Sequence, residues 1–164
     1  MTHPSDVIVR IDDRLRLMSA VLAATNWPEQ SQKRQPHGTH AHARATRKYL
    51  SDHLNHPAVQ SLQGLLDQGA PLEAMFTFAL CLSWPGLELQ IDVLPGWVPP
   101  RWIMELRDFY RVTGLADWWQ QEEAVWSKSL HEARRIFHNI AFKPFLRPFI
   151  GEVQEQLVFV PNIS

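Results

Sequence analysis

Apolar residues recur at helical spacing through much of the chain, and this pattern predicts a mainly helical protein. In the first such segment Leu15, Met18, Val21 and Leu22 lie three or four residues apart, the spacing of one face of an amphipathic helix. Three more helices are predicted, over HAHARATRKYLSDHL, HPAVQSLQGLLDQG and PRWIMELRDFYRVTG. The last two have a proline near the start and a glycine at the end, as helices often do.

One segment predicts a buried helix, another predicts a long amphipathic helix, and a polar segment predicts a loop. PLEAMFTFALCLSW is apolar nearly all round, which is typical of a buried central helix. LADWWQQEEAVWSKSLHEARRIFHNI predicts one long amphipathic helix. The residues on or near its apolar face are Trp118, Val125, Ala133, Ile136 and Ile140. PEQSQKRQPHGT is polar and without period, so it predicts a loop.

Two short β-branched segments, VIVRI near the start and EQLVFVPN near the end, predict strands. A pair of strands alone is marginally stable in water. We therefore predict a mainly α, multi-helix, bundle-like single domain over residues 1–164, with a small sheet formed by the terminal strands. The chain also stops abruptly after an apolar strand, so further strands of this sheet are expected to lie outside the chain. An unpaired sheet edge then predicts self-association through strand edges.

Composition narrows the functional classes. The 164 residues carry 16 Lys and Arg against 17 Asp and Glu, a net charge of −1, which argues against a nucleic-acid partner. The longest apolar stretch, AMFTFALCLSW, is about half of what a membrane span requires, and the N-terminus lacks a secretory signal. The single cysteine, Cys81, indicates a reducing compartment and is expected to be a small core residue. We therefore predict a cytoplasmic protein with no membrane partner.

The stretch SLHEARRIFHN looks like a zinc-peptidase helix but lacks its spacing. Such a helix needs two histidines four residues apart with a glutamate after the first. Here Glu132 follows His131, but the next histidine is His138, two turns or about 10.5 Å further along a helix. Arg135 stands where the second ligand belongs. We therefore assign no catalytic residue and interpret this segment as a solvated helix.

Two other sets of residues suggest binding. His40 and His42 point apart on a helix, but if the segment is extended before the helix begins they share one side and form a weak metal site. The alternative is that both belong to a polar helix surface. Trp97, Trp102 and Trp119 are candidate exposed anchors for a protein partner, since tryptophan is enriched at binding hot spots.

Several pieces of the chain together resemble a bacterial domain-of-unknown-function family. They are VRIDDRLRLMSAVLAAT, RKYLSDHLNHPAV with its HPAV step at His56–Val59, LPGWVPPRWIMELRDFYRVTGLADWW and LVFVPN. Longer members of that family look like zinc metallopeptidases, with an HExxH helix toward the C-terminus. The resemblance implies that this chain corresponds to the non-catalytic N-terminal part of such a longer protein, either as a truncated piece or as a natural short form that lost the chemistry. It implies that this chain binds no cofactor, whereas a full-length relative would bind zinc. It also implies that the partner is the missing C-terminal half or another protein.

Three functional hypotheses follow, and each predicts a different structural feature. A flanking region of a metallopeptidase-like protein, without activity of its own, predicts an exposed apolar edge beside the terminal strands. A stand-alone helical interaction module predicts an apolar patch among the helices. A histidine-based metal-binding protein predicts at least three ligand atoms converging near His40.

Overall fold

The protein is mainly helical, as its sequence pattern predicts. The computed structural model describes residues 6–34, 41–138 and 140–162, which contain nine α-helices and a two-stranded sheet. The strands are β1 (Val7–Val9) and β2 (Leu157–Phe159). The helices are α1 (Asp13–Ala24), α2 (Trp27–Arg34), α3 (Ala41–Tyr49), α4 (Pro57–Asp67), α5 (Leu72–Leu80), α6 (Trp102–Val112), α7 (Leu115–Gln121), α8 (Glu123–Phe137) and α9 (Phe142–Ile150), with a 3₁₀ turn at Ser51–His53.

The chain divides into two compact units. Unit 1 comprises Met1–Asp12 and Trp119–Pro161, and unit 2 comprises Asp13–Trp118 and Asn162–Ser164. Unit 1 therefore joins residues from the two ends of the chain. No helix in the described part of either unit is long and apolar enough to cross a membrane.

Helix α1 lies at the centre of unit 2, a position that the sequence pattern predicted for α5. Every residue from Arg16 to Ala24 is buried, and α1 packs against α2, α3, α4 and α5. Its small side chains let neighbouring helices approach on all sides. In α5 only one face is buried, and Leu80 at its end is 46% exposed. The greater hydrophobicity of α5 therefore indicated the wrong central helix. The adjacent Cys81 is half-buried instead of belonging fully to the core.

The predicted starts and ends of α4 and α6 are confirmed. Pro57 is the first residue of α4, and Gly69 follows its end with φ +85°. Gly114 follows α6 with φ +64°, a backbone conformation that favours glycine. The two helices pack together through Trp102, which is fully buried and donates its indole N–H to the Ala58 carbonyl at 3.2 Å.

Two helical boundaries differ from the prediction. Trp27–Arg34 is a helix where a loop was predicted, because Glu, Gln, Lys and Arg have high helix propensity even without an apolar period. The predicted long C-terminal helix is broken at Glu122 (φ −91°, ψ 6°) into α7 and α8. The buried side of α8 carries Trp126 and Ala133, whereas Val125 and Ile136 are exposed. The predicted apolar face mixed residues from two sides of this helix.

Strands β1 and β2 form the small terminal sheet that was predicted. They are parallel and pair Val7 with Leu157, Ile8 with Val158 and Val9 with Phe159. One face of the sheet is covered by α8. The cluster there contains the buried residues Val7, Val9 and Ala133 and, packed against them, Leu130, Phe137, Phe142 and Leu157.

Candidate functional site

The histidine-based metal site stays a prediction, because one of its two histidines is not among the described residues. His40 lies outside the described residues. His42 is buried in α3, where its Nδ1 lies 3.4 Å from the Thr46 hydroxyl oxygen and its ring lies near that of Trp118. Over residues 6–34, 41–138 and 140–162 no three His, Cys, Asp or Glu side chains are placed to share a metal ion.

Of the three tryptophans predicted to be exposed anchors, only Trp97 is exposed. It is 41% exposed and its ring contacts Phe78 edge-on at 5.8 Å. Trp102 is fully buried and stacks on Phe78 at 5.5 Å, and Trp119 is also buried. The expectation that Trp102 and Trp119 are exposed is wrong, because large aromatic side chains supply much of the area buried inside a small core.

The residues of the zinc-like stretch lie on an exposed helix. His131 and Glu132 are exposed on α8, next to Ala133, which faces the sheet of unit 1. This placement agrees with the interpretation of the segment as a solvated helix.

Unit 2 carries a groove of about 430 Å³ between α4 and α6, lined by His56, Pro57, Arg101, Met104, Glu105 and Asp108. The His56 ring is almost fully buried at the start of α4, where its Nδ1 accepts the N–H of Ala58 at 3.2 Å. That bond requires the proton of the neutral ring to be on Nε2, which lies 3.1 Å from Asp108 Oδ2. His56 therefore caps α4 and links it to α6.

The carboxylates of this groove also accept hydrogen bonds from neighbouring side chains. Asp108 also accepts from Arg111, and the hydrogen bonds from Arg111 and His56 hold the pKa of the Asp108 carboxyl below its ordinary value. Glu105 accepts from the Ser61 hydroxyl at 2.6 Å. Because both ring nitrogens of His56 are used within unit 2, the ring has no nitrogen available to act as a general base. We interpret the groove as a polar link between two helices.

Unit 1 carries a different feature, a sheet edge whose peptide groups have no partner in the described chain. The N–H of Arg10 donates to the Phe159 carbonyl at 3.2 Å. In a parallel ladder alternate residues of each strand face the neighbouring strand, so the peptide groups of Leu157 and Phe159 face β1. The N–H and C=O of Val158 therefore lie on the outer edge of β2, and no hydrogen bond to either is found within residues 6–34, 41–138 and 140–162.

The outer edge of β1 is occupied. By the same alternation it presents the peptide groups of Val7 and Val9. The guanidinium of Arg134 on α8 lies 3.4 Å from the Val9 carbonyl oxygen and donates to it. The two edges of this sheet thus differ: Arg134 contacts the outer edge of β1, whereas no hydrogen bond from the described residues reaches Val158 on the outer edge of β2.

The sheet face opposite α8 is apolar and exposed. Its central pair, Ile8 and Val158, are 48% and 45% exposed. Sheets that are purely parallel are generally covered on both faces, and the described residues cover only one face of this sheet. We name Ile8, Val158 and the outer edge of β2 the open strand surface. The sequence-based expectation of an exposed apolar edge beside the terminal strands is met at this surface.

Helix α9 adds exposed apolar area to unit 1 and was not predicted. Its first turn joins the cluster under the sheet through Phe142, but Phe145, Phe149 and Ile150 are 62%, 74% and 63% exposed. Apolar residues at positions 142, 145, 146, 149 and 150 follow the spacing of a helix face, so the sequence contained the signal. Both Pro144, in its first turn, and Pro148 lie within α9.

No protein-family model, no curated protein and no solved structure matches this chain.

Proposed function

We propose that this chain is a protein-interaction module that binds an extended segment of a partner at the open strand surface. The N–H and C=O of Val158 on the outer edge of β2, which have no hydrogen-bond partner in the described part of the chain, carry the proposal. An exposed strand edge offers main-chain hydrogen bonds to an incoming strand, a recurring mode of peptide recognition. The neighbouring Ile8 and Val158 side chains supply the apolar contacts.

The chemistry of this surface specifies the partner segment. Residues Gln156 to Val160 carry no charge, so charged side chains on an incoming strand would find no ionic partner there. The exposed face offers the aliphatic side chains of Ile8 and Val158. The partner segment is therefore an uncharged strand with β-branched or aromatic residues at alternate positions, because side chains of a strand alternate between its two faces.

Peptide selection with two variants at Val158 tests this function. Short random peptides are selected on the immobilised wild-type protein, and the Val158 amide is followed by NMR as they bind. Val158→Pro removes the edge N–H without removing a ladder hydrogen bond, and it should abolish binding. Val158→Thr keeps the N–H and the β-branched shape, and it should retain binding. Peptides that bind Val158→Pro as well as wild type would contradict the proposal.

A second candidate comes from the resemblance to the metallopeptidase-like family. In this version the incoming strand belongs to a catalytic region of the same longer protein, and the present chain flanks the catalytic site without activity of its own. The edge of β2 supports this candidate too, because the terminal sheet has two strands within the described residues. The genomic reading frame downstream of Ser164 tests it. An HExxH-encoding segment there would support the candidate, and a stop codon would exclude it.

A further inference from the structure

We infer that the segment bound at the open strand surface is β2 of a second copy of this chain, which forms a two-fold symmetric dimer. This inference rests on the proposed function, because it names the partner of the same strand edge. In the dimer the two β2 strands run antiparallel with Val158 opposite Val158, and a four-stranded sheet of order β1–β2–β2–β1 results.

The hydrogen-bonding groups of β2 fit this arrangement. Both the N–H and the C=O of Val158 lie on the outer edge. When an antiparallel pair is centred on one residue, that residue in each copy donates to and accepts from its counterpart. A two-fold axis through the Val158 pair therefore satisfies both groups in both copies. In a parallel pair each residue bonds to two different residues of the neighbouring strand, so the two Val158 residues could not satisfy each other.

The side chains of β2 are compatible with pairing to themselves. Around the Val158 pair, Leu157 of one copy lies opposite Phe159 of the other. Both side chains lie on the face covered by α8, where Leu157 joins the apolar cluster and Phe159 contacts Phe137 at 4.8 Å. Aliphatic–aromatic pairs of this kind stabilise antiparallel strands.

Charge also permits the symmetric pair. Gln156 lies opposite Val160, and Glu155, the first charged residue outward, lies opposite Pro161. No two like charges therefore face each other across the strand pair, which would oppose association.

The asymmetry of the two edges selects β2 over β1. The Arg134 side chain already donates to the Val9 carbonyl on the outer edge of β1. A cationic side chain at a strand edge also disfavours the approach of a second strand. Within the described residues, Val158 on β2 has no such hydrogen bond and no cationic side chain at its edge. Because the outer edge of β1 is occupied, association stops at two copies.

A symmetric cysteine cross-link tests the geometry directly. In the background Cys81→Ser, which removes the single native thiol, Val158→Cys places two thiols on the two-fold axis. Hydrogen-bonded residues opposite each other have Cα atoms about 5.5 Å apart, within the range of a disulfide. We expect mild oxidation to convert most of this variant to a covalent dimer.

The matched control is Ile8→Cys in the same background. Ile8 is about as exposed as Val158 and lies on the same sheet face. In the proposed dimer, however, the two Ile8 residues lie in the outer strands and too far apart to cross-link. Equal cross-linking of the Ile8→Cys and Val158→Cys variants would overturn the symmetric pairing.

Light scattering and sedimentation on proteins without an introduced cysteine complete the test. We expect the wild type to be a dimer. Its dissociation constant should rise at least about tenfold in Val158→Pro, because the edge N–H of both copies is lost. The dissociation constant should change little in Val158→Thr. Circular dichroism checks that Val158→Pro remains folded. A wild type that stays monomeric while still binding selected strands at Val158 would overturn the dimer and leave the interaction module standing. A monomer that binds no strand would overturn both.

Discussion

Asp6 caps the first turn of α9 through the backbone N–H of Lys143, a residue 137 positions later in the chain. Its Oδ2 accepts that N–H at 2.6 Å, and its Oδ1 accepts the N–H of Phe142 at 3.0 Å. The first N–H groups of a helix have no partner within the helix. Asp6 precedes β1 and satisfies two of them, so one side chain fixes the start of α9 beside the sheet in unit 1.

We predict that Asp6→Ala loosens the start of α9. The change removes both acceptors, whereas Asp6→Asn keeps one side-chain oxygen able to accept. Hydrogen exchange at Phe142 and Lys143 should therefore be fastest in Asp6→Ala, intermediate in Asp6→Asn and slowest in wild type. The amide of Val59, in the α4 core of unit 2, provides the internal control. Unchanged exchange at Phe142 and Lys143 in Asp6→Ala would contradict the capping role.

Acid should weaken the protein through Asp6 and Asp108. Burial alone raises the pKa of Asp6, but hydrogen bonds from the N–H groups of Lys143 and Phe142 outweigh it, and the pKa is below its ordinary value. Hydrogen bonds from Arg111 and His56 lower the pKa of Asp108. A carboxyl whose pKa is lower in the folded than in the unfolded state stabilises fully above the unfolded pKa, about 4. That stabilisation is lost as the pH falls from about 4 through the folded pKa.

Urea unfolding at pH 6, 5, 4 and 3 measures this dependence. The wild type should lose stability most steeply below about pH 4. The double variant Asp6→Asn, Asp108→Asn should have a lower free energy of unfolding than the wild type at pH 6. Its free energy of unfolding should fall less between pH 5 and pH 3. Asp92→Asn, which removes an exposed carboxyl from unit 2, controls for the loss of a negative charge. Parallel pH curves for the wild type and the double variant would contradict the assignment.

Two variants of His56 separate its capping role from its link to Asp108. His56→Ala removes the acceptor for the Ala58 N–H and the contact with Asp108. His56→Ala should lower the free energy of unfolding by about 1 kcal/mol, within the range for losing a side-chain cap. Asn is a preferred capping residue, so His56→Asn should recover most of that loss. Equal destabilisation by the two variants would show that the Asp108 contact, and not the cap, dominates.

We predict that this chain has no peptidase activity when zinc is added. On α8, His131 and Glu132 are exposed, and Arg135 occupies the position one turn after His131. His131→Ala and Glu132→Ala should therefore leave folding and zinc content unchanged. Zinc content is measured by atomic absorption after dialysis, with wild-type protein in parallel. Stoichiometric zinc that disappears in His131→Ala would contradict this interpretation of the helix.

The sequence predicts elements well where local chemistry decides them. Pro57 and Gly69 bound α4 as expected, because the fixed φ of proline suits a first turn and glycine adopts the positive φ that follows a helix. The strands VIV and LVF were recognisable from β-branched and apolar residues. Their parallel register was not, because it depends on contacts between residues 150 positions apart in the chain.

The sequence predicts poorly which apolar face is covered. Val125 and Trp126 are adjacent apolar residues of α8, yet only Trp126 is buried. The two edges of the terminal sheet are a second example. The sequence indicated an unpaired edge, but it did not indicate that the Arg134 side chain contacts the edge of β1. Such choices are made by tertiary packing, which periodicity does not encode.

Leu80 and Phe78 give the sharpest test of the core of unit 2. The sequence pattern places both in one buried helix, which would make Leu80→Asp intolerable. In the structure Phe78 is 2% exposed, stacks on Trp102 and contacts Trp97 edge-on, whereas Leu80 is 46% exposed. Phe78→Ala should therefore cost about 3–5 kcal/mol, the usual range for truncating a buried aromatic side chain.

Leu80→Asp serves as the contrasting variant. Its carboxylate would remain in solvent, so the protein should stay folded and lose less than about 1 kcal/mol. Urea unfolding followed by tryptophan fluorescence compares the two variants with wild type. If Leu80→Asp unfolds the protein while Phe78→Ala is tolerated, the buried face of α5 has been assigned to the wrong side. A free energy of unfolding that is far lower in Phe78→Ala than in Leu80→Asp would establish that α5 packs by one face only.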